Sequence, residues 1–236
     1  MNPLPSRSTT LKRKLLYSIL SASLFSACIP LAVSAQWSDA GLWTNVTLEK
    51  KITKDLDILV TEEFRFNEDM THLGAFFTDA GAEYTVVKGF KTGLFYRFTN
   101  RSRDDGSWSQ GHRIYADFSY RQKISRFTAG YRVRFQVQYK DINRSETGRI
   151  PTWYFRQKLH LAYNTKSRFD PYLDGEVWYQ LNPEYFGFVN LRMSAGVVIR
   201  IIKSHSVDLG YIYQRELNTA DPETDHILFI GYKFSF

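Results

Sequence analysis

The sequence predicts an all-β fold: a single antiparallel up-and-down transmembrane β-barrel of ten to twelve strands, apolar outside and charged in its lumen. Three observations predict it. Apolar and polar residues alternate along nearly the whole chain after residue 36. The alternating tracts outlast an ordinary soluble strand of roughly five or six residues. The connections between them alternate between short and long.

Arg126–Lys140 shows the pattern best. Phe127, Ala129, Tyr131, Val133, Phe135, Val137 and Tyr139 fall on one face, and Thr128, Gly130, Arg132, Arg134, Gln136, Gln138 and Lys140 on the other. A period of two is a strand with one greasy and one wet face. A helix would spread the arginines over every side. The run exceeds the roughly nine to eleven residues with which a tilted strand crosses a bilayer.

The chain opens with a different segment. Residues 1–35 carry Arg7, Lys12, Arg13 and Lys14 and no acid, then the apolar run Leu15–Val33, then Val33-Ser34-Ala35 before Gln36. A basic start, an apolar middle and a small-residue end are expected of a cleaved export signal. Two other readings are a retained anchor, which Pro30 disfavours, and lipidation at Cys28. The lipidation reading lacks the usual Leu three residues before the cysteine. Cys28 is the one cysteine, so a chain cleaved after Ala35 has no thiol for disulfides or metal. Residues 36–236 form the predicted barrel domain.

The strands follow in order. Gly41–Lys50 sets Leu42, Thr44, Val46 and Leu48 on one side. Leu56–Phe66 sets Leu56, Ile58, Val60, Phe64 and Phe66 against Thr61, Glu63 and Arg65. Phe76–Val86 is weaker, with Ala80, Ala82, Tyr84 and Val86 against Asp79, Gly81 and Glu83. Thr92–Arg101 sets Leu94, Tyr96 and Phe98 against Arg97, Thr99 and Arg101. His112–Gln122 sets Ile114, Ala116, Phe118 and Tyr120 against Arg113, Asp117, Ser119 and Arg121. Beyond Lys140, Trp153–Tyr163 sets Trp153, Phe155, Leu159, Leu161 and Tyr163 against Arg156, Lys158 and His160. Tyr172–Leu181 sets Leu173, Val177, Tyr179 and Leu181 against Asp174, Glu176 and Gln180. Val189–Ile201 sets Val189, Leu191, Met193, Ala195, Val197, Ile199 and Ile201 against Asn190, Arg192, Ser194 and Arg200. Val207–Tyr213 and the terminal Leu228, Ile230, Tyr232, Phe234 and Phe236 complete the set.

Short connections are expected near 50–54, 87–91, 122–125, 164–168 and 202–206. Longer ones are expected near 67–74, 101–111, 141–150, 182–188 and 218–225. Outer-membrane barrels turn tightly in the periplasm and loop outside. Lipid cannot satisfy free backbone groups, so the sheet must close. These tracts number eleven, whereas bacterial barrels with both ends in the periplasm have an even number. If the count is even, either one strand is unrecognised or Gly41–Lys50 lies outside the wall.

The apolar face could also line the cavity of a soluble carrier. Strand length and number favour the outward arrangement, as do aromatics near the tract ends at Trp43, Tyr120, Tyr139, Trp153, Tyr163, Tyr211 and Tyr213, where a membrane interface belt would lie. The terminal Leu228, Ile230, Tyr232, Phe234 and Phe236 have the form of a C-terminal signal read by the barrel-assembly machinery. The expected partners are therefore outer-membrane lipid and that machinery, at the outer membrane of a Gram-negative cell.

The charge gives little support to a nucleic-acid role, and none is expected. The whole chain has 31 Lys and Arg against 24 Asp and Glu, and the part after residue 36 has 27 against 24, with no concentrated basic patch. The mean hydropathy of −0.36 does not argue against a barrel, because alternation cancels in any window.

On the wet face, Glu63, Arg65, Arg113, Asp117, Arg132, Arg134, Arg156, Lys158, Asp174 and Glu176 are expected to form a lumen charge network. The simpler role is a salt-bridged plug, because charges there must be paired or hydrated. The other is a cation-lined path for anions. Inward glycines Gly81, Gly93, Gly130, Gly196, Gly210 and Gly231 make room for inward aromatics such as Tyr115, Trp178 and Phe229. No catalytic residue, cofactor or metal site is expected. The five histidines have neither ligand spacing nor a nucleophile motif. A lipid hydrolase would need a Ser–His pair, for which His112 near Ser107 and Ser109, and His226 near Thr224, are the candidates.

The segments Leu48-Glu49-Lys50-Lys51, Glu63-Phe64-Arg65-Phe66, Gly93-Leu94-Phe95-Tyr96-Arg97-Phe98, His112-Arg113-Ile114-Tyr115-Ala116-Asp117 and Tyr131-Arg132-Val133-Arg134 resemble the domain-of-unknown-function 2490 family of bacterial outer-membrane barrels. The likeness spans about residues 40–236. It implies architecture and location, and no catalytic residue. Mass measurement of the exported protein is expected to give Gln36 as its first residue; an acylated Cys28 would refute cleavage after Ala35.

Overall fold

The computed structural model describes residues 38–143, 146–182 and 185–236; the expected signal of residues 1–35, with Cys28, lies outside them. The strands are β1 (Ser38–Lys51), β2 (Leu56–Asn67), β3 (His72–Val87), β4 (Phe90–Ser102), β5 (Trp108–Ile124), β6 (Phe127–Tyr139), β7 (Thr152–Tyr163), β8 (Phe169–Asn182), β9 (Tyr185–Ile202), β10 (His205–Glu216) and β11 (Thr224–Ser235). Each pairs antiparallel with its neighbour in sequence, and β1 pairs parallel with β11 to close the barrel. One 3₁₀ turn, Thr147–Arg149, lies in the β6–β7 connection.

Among the described residues the count is eleven, within the expected ten to twelve, and Gly41–Lys50 is a full wall strand within β1. This overturns the expectation of an even number with both ends on one side. An odd count forces one parallel seam. In it Ser38 lies beside Thr224 and Glu49 beside Ser235, so β1 begins at the end where β11 begins. The seam satisfies the edges of both strands. Lys51 N–H donates to the Phe236 carbonyl (3.0 Å), and Phe236 N–H donates to that of Glu49 (2.9 Å). The Lys233 ammonium and the Ser235 hydroxyl hold the Glu49 carboxylate at 3.0 and 2.6 Å.

The outer face is apolar. Leu94 and Leu159 are each 64% exposed, Phe135 49% and Leu228 48%, while inward Arg156 and Glu176 are each 4% exposed. The hydrocarbon side chains therefore point away from the lumen and the guanidinium groups toward it. Trp43 is the correction to the expected aromatic belt. It is buried and points inward, on the wet parity of β1 with Asn45, where it stacks with a guanidinium. Glu62 departs in the other sense. Alternation with buried Glu63 turns it outward between Val60 and Phe64, beside Val46 and Thr78.

The strands run further than their apolar tracts, so several expected loops shrink. The β2–β3 connection is 68–71 and the β4–β5 connection 103–107. Pairing past the apolar band satisfies backbone groups that a loop would leave open. Length asymmetry between the two ends is concentrated in 140–151 and 217–223.

Inward glycines let aromatic rings lie flat on the wall. A Cβ at Gly81 would sit 2.2 Å from the Phe95 ring, and one at Gly196 would sit 2.6 Å from the Tyr172 hydroxyl. Tyr172 crosses that gap to donate to Asp208 at 2.9 Å. The inward aromatics expected from sequence (Tyr115, Trp178 and Phe229) do lie inside, but the rings that use these two glycines are Phe95 and Tyr172.

The seam register is directly testable. Thr44 and Ile230 are partners across it. The double variant Thr44→Cys/Ile230→Cys is expected to form an intramolecular disulfide on oxidation in micelles, seen as a reducible mobility shift. Barrel closure by β2 against β11 would keep the two thiols apart.

Candidate functional site

The inward residues enclose a cavity of about 1200 Å³ that runs from the 217–219 connection down to Tyr172, Val198 and Asp208. Its lining is fixed by parity: every second side chain of each strand enters it, and register sets which ones meet.

Two ion-pair groups form its walls. In the first, Arg65 Nε donates to Glu63 at 2.6 Å, Arg97 Nε donates to Asp79 at 2.7 Å, and Arg97 Nη2 lies 3.6 Å from Glu63. Tyr115 donates to the second oxygen of Asp79 at 3.0 Å. In the second, Arg134 grips Asp117 with two bonds of 2.6 and 2.7 Å, and Arg156 grips Glu176 with two of 3.2 and 2.8 Å. Arg132 donates to Glu176 at 2.6 Å. Lys158 and His160 both hold Asp174 at 2.6 Å. Two-point guanidinium–carboxylate contacts are the stronger and more directional form of such pairs.

Cation–ring contacts join the two groups. Arg156 sits 3.9 Å from the Trp178 ring, and Arg192 5.3 Å from Trp178 and 4.9 Å from Trp43. Arg65 follows at 3.5 Å from Trp43 and 4.6 Å from Phe77, and Arg97 at 4.9 Å from Phe77. Cations and rings thus alternate from β7 round to β4. A desolvated contact of this kind contributes on the order of 0.5–2 kcal/mol.

The structure therefore brings together nine of the ten charged residues named from sequence: Glu63 with Arg65; Asp117 with Arg132 and Arg134; Glu176 with Arg132 and Arg156; Asp174 with Lys158. It does not join Arg113 to Asp117. Asp117 is taken by Arg134, and Arg113 donates to Gln138 at 2.9 Å instead. Sequence reading left Asp79, Arg97, Arg192, Trp43 and Gln136 out of the network. Alternation had already put Asp79, Arg97, Gln136 and Arg192 on the wet face; only strand register links them.

The terminal Leu228, Ile230, Tyr232, Phe234 and Phe236 share the outer parity of β11, with Leu228, Ile230 and Phe236 well exposed. The candidate pairings of His112 with Ser107 or Ser109 and of His226 with Thr224 do not form among the described residues. His112 faces outward and meets the Tyr96 hydroxyl at 2.5 Å, while Ser109 points inward and donates to the Lys140 carbonyl. His226 meets Tyr211. A Ser–His contact missed from sequence joins His72 Nε2 and Ser102 Oγ at 3.0 Å on the exposed rim.

Charge balance decides what the cavity can hold. Among the described residues, twelve Lys and Arg side chains line it against six Asp and Glu. Arg97 and Arg134 draw their partners Asp79 and Asp117 from outside this lining, and Arg101, Arg113 and Lys140 have no ion-pair partner among the described residues, so the lining carries an excess of positive charge. Glu176 tests the network's energetics. Glu176→Gln would leave Arg156 without a carboxylate and Arg132 with Asp117 alone, 3.9 Å away, and removing one partner of a buried pair costs about 3–5 kcal/mol. Urea unfolding in micelles is expected to show that loss; a change under about 1 kcal/mol would mean that lumen water solvates the two arginines.

Comparison with known proteins gives the family and the fold. Residues 40–225 match the family model described as Protein of unknown function (DUF2490). No curated protein matches the chain. Among solved structures, the beta domain of the Bordetella autotransporter BrkA is similar, with a TM-score of 0.53 and 13% identity over 79% of this chain and 86% of that one. That likeness establishes the barrel fold and nothing of activity. The match over most of the chain, on the strands that build this lumen, makes the protein a member of the DUF2490 family.

Proposed function

We propose that this chain is an outer-membrane β-barrel, exported by the segment 1–35, whose lumen is a narrow path for small anions. The observation that carries the reading is the opposition of its two faces. An apolar outer band suits hydrocarbon, and a cavity lined two to one by cations suits negative solutes. A soluble carrier would invert the first. Short turns such as 88–89 and 203–204 suit the periplasmic side, and the 140–151 and 217–223 loops the outside. The alternating β11 terminus is the surface offered to the assembly machinery.

The runner-up is a structural barrel whose ion pairs stop flow. A lipid hydrolase is a weaker reading, supported only by the exposed His72–Ser102 contact.

Purified protein in planar bilayers under a potassium chloride gradient distinguishes these. Discrete ohmic steps reversing near the chloride equilibrium potential are expected. Silent membranes would favour the structural barrel, and a reversal toward potassium would overturn the anion path.

A further inference from the structure

Three cations near the long-loop end stand outside the ion-pair network. Arg101 on β4, Arg113 on β5 and Lys140 just beyond β6 line both the main cavity and a small cleft beside it, as does Gln138, and Thr99 lines the cleft. None has a carboxylate within ion-pair distance among the described residues. Arg113 is only 7% exposed, and its Nε is buried without a hydrogen-bond partner. Among the described residues its one side-chain acceptor is Gln138. A buried charged donor left open is costly, and a native fold that keeps one calls for an acceptor from elsewhere.

The three groups are held in place by the backbone. Register sets Arg113 beside Gln138 and Arg101 beside Ser109. Lys140 N–H donates to the Gly148 carbonyl at 3.2 Å, and its own carbonyl accepts from Ser109 at 3.1 Å. Burial, then the Arg101 guanidinium, pushes the Lys140 ammonium below the usual lysine range. Glu216 acts the other way and Arg113 adds to the depression. Arg113 is buried while Arg101 and Lys140 keep exposed surface, so an anion at this end of the lumen would meet one enclosed and two accessible positive groups.

We propose that Arg101, Arg113 and Lys140 form a binding site for a tetrahedral oxyanion of phosphate or phosphomonoester chemistry. Planar guanidinium forks match phosphate oxygens two at a time, and the lysine adds a point charge. Three unpaired positive groups fit a dianion better than a halide or a single carboxylate. The site deepens the anion-path reading and rests on it, because the anion must enter the lumen from the long-loop end.

Calorimetric titration of the folded protein in non-ionic detergent tests this, with inorganic phosphate and glucose 6-phosphate as the probes. Saturable binding of one anion per barrel is expected. Arg113→Gln and Lys140→Gln are each expected to weaken it about tenfold or more. Lys203→Gln, on an exposed short turn, is expected to leave it unchanged. Tighter binding of inorganic phosphate would mark the free ion as the ligand, and tighter binding of the sugar phosphate a phosphorylated solute; both support the site. Lys140 lies outside the strands, so its variant stays informative if Arg113→Gln fails to fold. Absent saturation in the unaltered protein, or undiminished binding by Lys140→Gln, overturns the proposal. A barrel that conducts chloride but never saturates with phosphate loses this site and keeps the path; one that binds phosphate and does not conduct keeps the site and loses the path.

Discussion

The structure depends on one constraint: backbone N–H and C=O groups on a sheet whose outer face is hydrocarbon must find partners within the sheet. Ten antiparallel neighbours meet it by simple hairpins. The remaining edges of β1 and β11 meet it by pairing in parallel. The odd strand count and the opposite placement of the two ends of the described barrel follow from that seam. Glu49 anchors it through Lys233 and Ser235, and Phe236 joins the ladder through its backbone while its ring lies 5.5 Å from the Lys50 ammonium.

Closure then dictates the inside. Once the ring is shut, every second side chain is committed to a narrow interior, and polar groups there must satisfy one another. The chain answers with two-point guanidinium–carboxylate grips and with rings laid against cations. Phe95 and Tyr172 lie flat because Gly81 and Gly196 leave no Cβ in their way. The acids are fewer than the cations, so pairing leaves the upper lumen positive around Arg101 and Arg113. The proposed anion path is this leftover charge given an opening.

Much of the fold was legible from alternation. Period two in Phe127–Tyr139 is visible without coordinates, because side chains of a strand must point to opposite faces. The same rule placed Glu63, Arg132 and Glu176 inside. Trp43 was misassigned to the outer belt because aromatic character near a tract end was weighed above its parity with Asn45. Loop lengths were overestimated near 67–74 and 101–111, because strand pairing depends on the partner's backbone and continues after the apolar pattern stops.

The sequence by itself determined which face of each strand is oily and which is charged, since that is a local property of spacing. Tertiary structure alone decided that the ring closes through a parallel seam, that Asp117 belongs to Arg134 and not to Arg113, and that Arg192 reaches Trp43 from β9. Those outcomes depend on register and curvature, which bring together residues far apart in the chain, and alternation carries no information about either.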